Sequence, residues 1–400
     1  MQTIKTLVDE KLASNRSQRN AMLSAIASGE VIAFVGAGLS VPLNYPSWPA
    51  LMQKLTDYAN QFAQYIPSAA TKADILEWAE EIRSHFIAHN RLNEFKSFIG
   101  REFWPKPDGA NCTKAHELLA DLPFRAFVTT NYEPCLEQAF ANNAIRDQKA
   151  PRVDPSVIVK KNGQDRHIVS SFLRSIAEIG GERRVAHLHG RYDDTDNIVL
   201  TTTDYVDCYG IVLNNKRPKD EVVTLHYKFV WSLFATRKMI FFGCSMDDPY
   251  IKIFLDKVAR DLWEQNQMSH FVVLAIDEKN APLADGVCQQ FLQYGLQPIF
   301  FDNRDGNYSK LDQLLEEASE YCVRVNSHME NFSMSKEEVF PTRSEILKMS
   351  LGRKIVSVIS KLTKLLRRDL AAPPPESIEH SVDQEWLEEV NATTVKDLKK

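Results

Sequence analysis

The sequence predicts an α/β protein: a doubly wound parallel sheet with a helical insertion and a C-terminal helical extension. Three observations carry that expectation. Strand-length apolar runs alternate with helical patterns along the chain. The runs are apolar throughout, as in strands covered on both faces, rather than alternating with polar residues. Two of them end directly in a glycine turn, Gly36-Ala37-Gly38 and Gly243-Cys244.

In chain order, residues 18–29 read as a helix ending at Gly29, part of an N-terminal helical segment over 1–29. EVIAFVG (30–36) reads as a buried strand feeding the first glycine turn. Residues 50–100 carry only helical patterns, which predicts a helical insertion over about 50–115. FRAFVT (124–129) is the next strand, followed by a helix over 134–141. VAHLH (185–189) is another strand. KMIFF (238–242) lies between helices at 221–236 and 249–265. HFVVLAI (270–276) and QPIFF (297–301) complete the set before a helix at 308–322. The sheet domain is thus expected over 30–326. A polar stretch opens the extension at 327–400, where a helix at 342–370 precedes the breaker AAPPPE.

Composition narrows the function. The 400 residues are 44% hydrophobic and 25% charged, with a net charge of −5, which excludes a disordered chain and argues against a globally basic nucleic-acid binder. Six cysteines occur without a CxxC pair, so no zinc ribbon or redox pair is written, and sparse cysteine fits a reducing cytoplasmic setting. The N-terminus lacks an apolar signal region, and no run approaches the roughly 20 apolar residues of a membrane helix.

Four motifs carry chemistry. Gly36-Ala37-Gly38-Leu39-Ser40 follows a strand; glycines there allow a pyrophosphate to approach the backbone, and a following helix would aim N–H groups at it. A purely structural tight turn is the alternative. Thr130 and Asn131 stand at the end of the next strand, over the ligand crevice of such a sheet. The Asn131 carboxamide can donate and accept at once, or simply cap the next helix. His187-Leu188-His189-Gly190 puts two imidazoles on one strand face. His189, at the strand end, suits general-base work, whereas His187 reads as a satisfied buried histidine. Gly243-Cys244-Ser245 is a further strand-end turn where Ser245 can bond a ribose hydroxyl. Asp248-Pro249 reads mainly as a helix cap, and Cys244 as a buried spacer. His85 and His89 have zinc-site spacing without the intervening Glu, and the basic amphipathic stretch 351–370 reads as a packing helix.

Together and in this order, the motifs resemble the sirtuin (SIR2) superfamily, in particular the bacterial SIR2-like branch of antiphage defence. Gly36–Ser40 is similar to its GAGxS, Thr129-Thr130-Asn131 to TQN, His189-Gly190 to the catalytic HG, and Gly243-Cys244-Ser245 to the late G-[TS]-S turn. The resemblance covers about 28–322. It implies a Rossmann-like fold and NAD⁺ as substrate, cleaved at the nicotinamide–ribose bond with Asn131 and His189 catalytic. Gly36, Ala37, Gly38, Ser40, Trp48, Thr130, Gly243, Ser245 and Asn303 are the implied binding residues, Trp48 as a cap on the nicotinamide pocket and Asn303 at the adenosine end, where a loop role is the equal alternative. Leu43–Pro49 (LNYPSWP) departs from the deacylases' SGIPDFR, and their CxxC…CxxC zinc module is missing, so no zinc is expected and NAD⁺ hydrolysis is favoured over deacylation. A non-catalytic subunit sensing NAD⁺ or ADP-ribose is the other alternative. The resemblance further implies a cytoplasmic homo-oligomer, nucleic acid engaged only indirectly, and a partner such as a HerA-type ATPase or a short Argonaute.

Overall fold

A computed structural model describes residues 4–106, 111–148, 155–157, 166–178, 182–214, 217–245, 248–262 and 270–337. Two compact units divide the chain, Met1–His328 and Met329–Lys400. Nearly all of the second, including the expected helix at 342–370 and the amphipathic stretch 351–370, lies outside the described residues.

Among the described residues, the strands are β1 (Ile32–Val35), β2 (Ala126–Thr129), β3 (Pro155–Val157), β4 (Val185–His187), β5 (Ile211–Asn214), β6 (Arg217–Glu221), β7 (Met239–Phe242), β8 (His270–Ile276) and β9 (Leu296–Asp302). Seven form one sheet in the order β3-β4-β2-β1-β7-β8-β9, with every neighbouring pair parallel. The remaining two, β5 and β6, make a separate antiparallel ribbon. The fold is α/β with a parallel sheet, as the apolar runs led one to expect, and Rossmann-like, as the resemblance implied.

IAFV, AFVT and MIFF are buried at every position, because helices cover both faces of the sheet. Side chains alternate between those faces. Ala33, Val35, Phe127, Ile240 and Phe242 pack with the helices Arg16–Ala27, Trp48–Ala59, Ile75–Ala88 and Cys135–Arg146. Ile32, Phe34, Val128 and Phe241 pack on the other side with Arg166–Ala177, Thr202–Tyr209, Leu225–Thr236 and Pro249–Leu262. Each fully buried Phe or Leu contributes about 1.5–3 kcal/mol to this arrangement. The helix Ile4–Ser14 places Val8 in a smaller cluster with Ile276, Ala284 and Phe300.

The helical insertion between β1 and β2 comprises Trp48–Ala59, Ala69–Ala73, Ile75–Ala88, Leu92–Glu102 and Lys114–Asp121. Side-chain caps start several of them, Asp74 accepting from Leu76 N–H and Glu77 N–H.

Strand order reverses at β1. The chain runs to one side through β2, then returns across to β7 on the other. The registers Val35↔Thr129, Val35↔Phe242 and Thr129↔His187 align the strand ends, so Gly36, Thr130, Leu188 and Gly243 leave the sheet at one level. A sheet of this kind opens a crevice at that level.

Candidate active site

A cavity of about 640 Å³ occupies this crevice. Its walls come from the loop after β1, the 45–49 segment, the turn after β2 at 130–133, the turn after β7 and Asp248. The volume and mostly apolar walls suit a small-molecule ligand.

The glycine loop answers to its neighbour before any ligand. A Cβ on Gly36 would stand 2.6 Å from the Gly243 carbonyl and 2.7 Å from Cys244 Sγ. One on Gly38 would stand 2.7 Å from the same carbonyl. Gly36 N–H donates to Phe242 O at 2.8 Å and Gly38 N–H to Gly243 O at 2.9 Å. Gly243 itself has φ +64, and a Cβ there would meet Leu39 Cδ1 at 2.3 Å. The glycines therefore let two strand-end loops interlock, and the tight-turn alternative is at least part of their role. The expected α-helix after the motif is absent: Ala37–Leu39 and Val41–Leu43 are short 3₁₀ turns, the second containing Pro42. The next α-helix starts at Trp48, where the Ser47 hydroxyl accepts from Ala50 N–H at 3.5 Å.

On the opposite wall, the Thr129 hydroxyl donates to Val35 O at 2.7 Å and accepts from Asn131 N–H at 3.0 Å, tying β2's end to β1. Asn131 is buried and lines the cavity. Its Nδ2 donates to Glu133 Oε1 at 2.8 Å, and the Ser40 hydroxyl donates to the same oxygen. Burial pushes the Glu133 carboxyl up to about 7, against the pull of the Ser40 and Asn131 bonds, its own backbone N–H and the nearby His187.

His187 and His189 part company. His187 is wholly buried, with Nδ1 3.0 Å from Asn131 O and Nε2 2.7 Å from Glu137 Oε1. Burial opposes its charged form, but Glu137 and the Asn131 carbonyl outweigh it and raise its pKa. That is the satisfied core histidine its motif foreshadowed. His189 is also wholly buried and does not line the cavity. Its Nε2 is 2.8 Å from the Tyr209 hydroxyl and its Nδ1 3.5 Å from the Tyr205 hydroxyl. Burial lowers its pKa to about 3, so the ring is neutral at physiological pH.

Tyr205 links His189 to the cavity. Its hydroxyl donates to Asp248 Oδ2 at 3.0 Å, and Asp248 lines the cavity with Oδ2 3.8 Å from His189 Nε2. Asp248 Oδ1 meanwhile caps the helix Pro249–Leu262, accepting from Tyr250 N–H at 2.8 Å and Ile251 N–H at 3.2 Å. Burial raises its pKa despite those bonds. The Trp48 ring, on the cavity wall, meets Tyr205 edge-on with centroids 6.4 Å apart. Arg83, from the insertion, donates to Thr201 and Asp204 at 2.8 Å each, at the start of the helix that carries Tyr205 and Tyr209.

Of the residues singled out from sequence, Gly36, Ala37, Gly38, Ser40, Trp48, Thr130, Asn131, Gly243 and Ser245 border one cavity. His189 and Asn303 do not. Asn303 organises its own loop, its Oδ1 accepting from Tyr308 N–H at 3.1 Å and its N–H donating to Ile276 O at 2.8 Å. Cys244, expected as a buried spacer, is only half-buried and lines the cavity; it donates to Phe242 O at 3.4 Å, and burial raises its thiol pKa. Sequence reasoning missed Glu133, and gave Asp248 mainly a capping role. The signal for Glu133 was a carboxylate two residues beyond Asn131 at a buried strand end. Tyr45 was also missed; it is buried on the cavity wall, and its hydroxyl has no partner among the described residues. No group of three or more His, Cys, Asp or Glu among the described residues is arranged to hold a metal.

Residues 125–299 match the family model described as SIR2-like domain. Three curated relatives bear the name NAD(+) hydrolase ThsA. One from Acinetobacter baumannii (strain 532279) is 26% identical over 246 residues, 60% of this chain and 41% of its own length. One from Enterococcus faecium is 25% identical over 253 residues, 62% of this chain and 44% of its own. One from Bacillus cereus (strain MSX-D12) is 25% identical over 249 residues, 62% and 43% respectively. The chain thus spans less than half the length of these relatives. The matched family segment includes Asn131, His189 and Gly243 but not the Gly36–Ser40 loop.

Proposed function

We propose, from the premise that this chain carries a SIR2-like domain, that the protein hydrolyses NAD⁺ to nicotinamide and ADP-ribose. The observation that carries this reading is the Asn131 carboxamide, buried at the mouth of β2 and facing a cavity roofed by the β1 and β7 glycine turns. The names of the three relatives support it.

Nicotinamide leaves ribose as a neutral ring, so the leaving group requires no acid. The site has to hold the ribose, exclude bulk water and admit one nucleophilic water. Fixing reactants in this way accounts for roughly 7–11 kcal/mol of barrier in the best cases. Asn131 would orient ribose and water. His189, with Asp248 and Tyr205 between it and the cavity, would act on the proton transfer through them. Trp48, Thr130 and Ser245 would contact the ligand's rings and hydroxyls, and the insertion would act as a lid.

In the same reading, the enzyme is a cytoplasmic effector of antiphage defence that depletes NAD⁺ on infection, working as a homo-oligomer beside a second protein. No helix among the described residues is long and apolar enough to cross a membrane. The test is to incubate the purified protein with NAD⁺, with and without acyl-lysine peptide, and separate the products. Free nicotinamide with ADP-ribose in both arms supports hydrolysis. Release only with peptide identifies a deacylase, and tight binding without release identifies a sensor.

A further inference from the structure

Glu133 bridges the two walls of the cavity. It lies in the turn between β2 and the helix Cys135–Arg146, and only 4% of it is exposed. One oxygen, Oε1, takes both the Asn131 Nδ2 donor at 2.8 Å and the Ser40 hydroxyl from the glycine loop. A carboxamide has two unlike ends: its NH₂ only donates and its oxygen only accepts. With the NH₂ committed to the carboxylate, Asn131 Oδ1 is left for the cavity, where it can accept from a water or a sugar hydroxyl.

We infer that Glu133 is the positioning residue that fixes which end of the Asn131 carboxamide faces the substrate, and that a proton arriving on Glu133 releases this hold. The inference rests on the hydrolase reading above, which it deepens with a pH-dependent control of the same site. A protonated Glu133 loses its charge-assisted bonds and can itself donate to Asn131 Oδ1. The amide then turns, presents NH₂ to the cavity, and can no longer accept the proton of a hydroxyl.

Neighbours from every adjoining element bear on this proton. Ser40 comes from the β1 loop, and Tyr45, with its unpartnered hydroxyl, from the next segment. Cys135 opens the helix that follows Glu133's turn, its thiol pushed up by burial. His187 comes from β4, held by Glu137, which also takes a 3.3 Å contact from Arg191. A carboxyl held at about 7 among these groups changes state within the physiological range.

Two measurements test this. The first is nicotinamide release between pH 5.5 and 9 for the wild type, Glu133→Gln and Ser40→Ala. The wild-type kcat should fall by roughly tenfold per pH unit below an inflection near 7. Glu133→Gln, which stays an acceptor for Asn131 but cannot titrate, should be flat within about twofold from pH 6 to 8.5, with KM little changed. Ser40→Ala, lacking one donor to the carboxylate, should move the inflection to higher pH. A Glu133→Gln enzyme that keeps the wild-type inflection overturns the inference. Should that variant not fold, a Ser40→Ala inflection that stays put or moves down does the same.

The second needs no turnover. The Asn131 side-chain amide resonance of ¹⁵N-asparagine-labelled protein, assigned by its loss in Asn131→Ala, should shift with a midpoint near 7 in the wild type. It should not titrate in Glu133→Gln. A wild-type amide signal insensitive to pH overturns the inference even if NAD⁺ is cleaved. A titrating amide in a protein that cleaves no NAD⁺ upholds it and removes the hydrolase reading.

Discussion

Replacing Glu133 by Gln should stabilise the protein at pH 8 and have far less effect near pH 5. Burial raises this carboxyl from 4.5 to about 7. Between those values the folded chain keeps a proton that the unfolded chain has released. Stability therefore falls as pH rises through that window, because the folded state binds more protons there. At about 1.36 kcal/mol per pH unit, the full cost above pH 7 is about 3 kcal/mol. Gln is neutral at all pH values, so it escapes this cost while offering an amide oxygen to Asn131 and Ser40. Urea denaturation at pH 5 and pH 8, for wild type and Glu133→Gln, measures the difference directly. The variant's advantage should grow by roughly 2–3 kcal/mol between the two. An equal effect at both pH values, or a variant weaker at pH 8, means that Glu133 carries no buried charge and that its hydrogen bonds matter only as neutral contacts.

Two further substitutions probe the cavity walls. Gly243→Ala should destabilise the fold by clearly more than Gly306→Ala, since both have φ near +65 but only Gly243 has neighbours, Leu39 Cδ1 and Leu39 N, within 2.7 Å of a new Cβ. Backbone strain alone costs of order 1 kcal/mol, and thermal melts of the two variants separate it from the steric part. His189→Ala should abolish nicotinamide release while the fold survives with a loss of about 1–3 kcal/mol, because the Tyr209 hydroxyl loses its hydrogen-bond partner. Full turnover by a folded His189→Ala protein removes His189 from the chemistry.

The sheet was legible because IAFV, MIFF and FVVLAI are apolar without interruption, a pattern that covered parallel strands impose. The strand at Pro155–Val157 was not, being three residues long and defined by its pairing with β4. Nor was Arg217–Glu221, whose residues RPKDE are strand only because Ile211–Asn214 lies alongside. In the site, the four motifs located the cavity but not every role. His187 and His189 were assigned one face by period-two alternation, yet β4 ends at His187, so the rule does not reach His189. Glycine at 36 and 38 was visible, but its main constraint, the Gly243 carbonyl, comes from a turn about 200 residues away. Glu133 acquires its character from Ser40 across the cavity and from burial, neither of which local sequence records.

The most direct check is a chromatographic assay of purified wild type and Asn131→Ala with NAD⁺ alone, each confirmed folded by circular dichroism. Equimolar nicotinamide and ADP-ribose from the wild type, with none from the variant, is the outcome expected of a carboxamide that holds ribose and water over the glycine turns. Equal release by the two proteins would mean that the bond is broken elsewhere, and that this cavity is not where the chemistry happens.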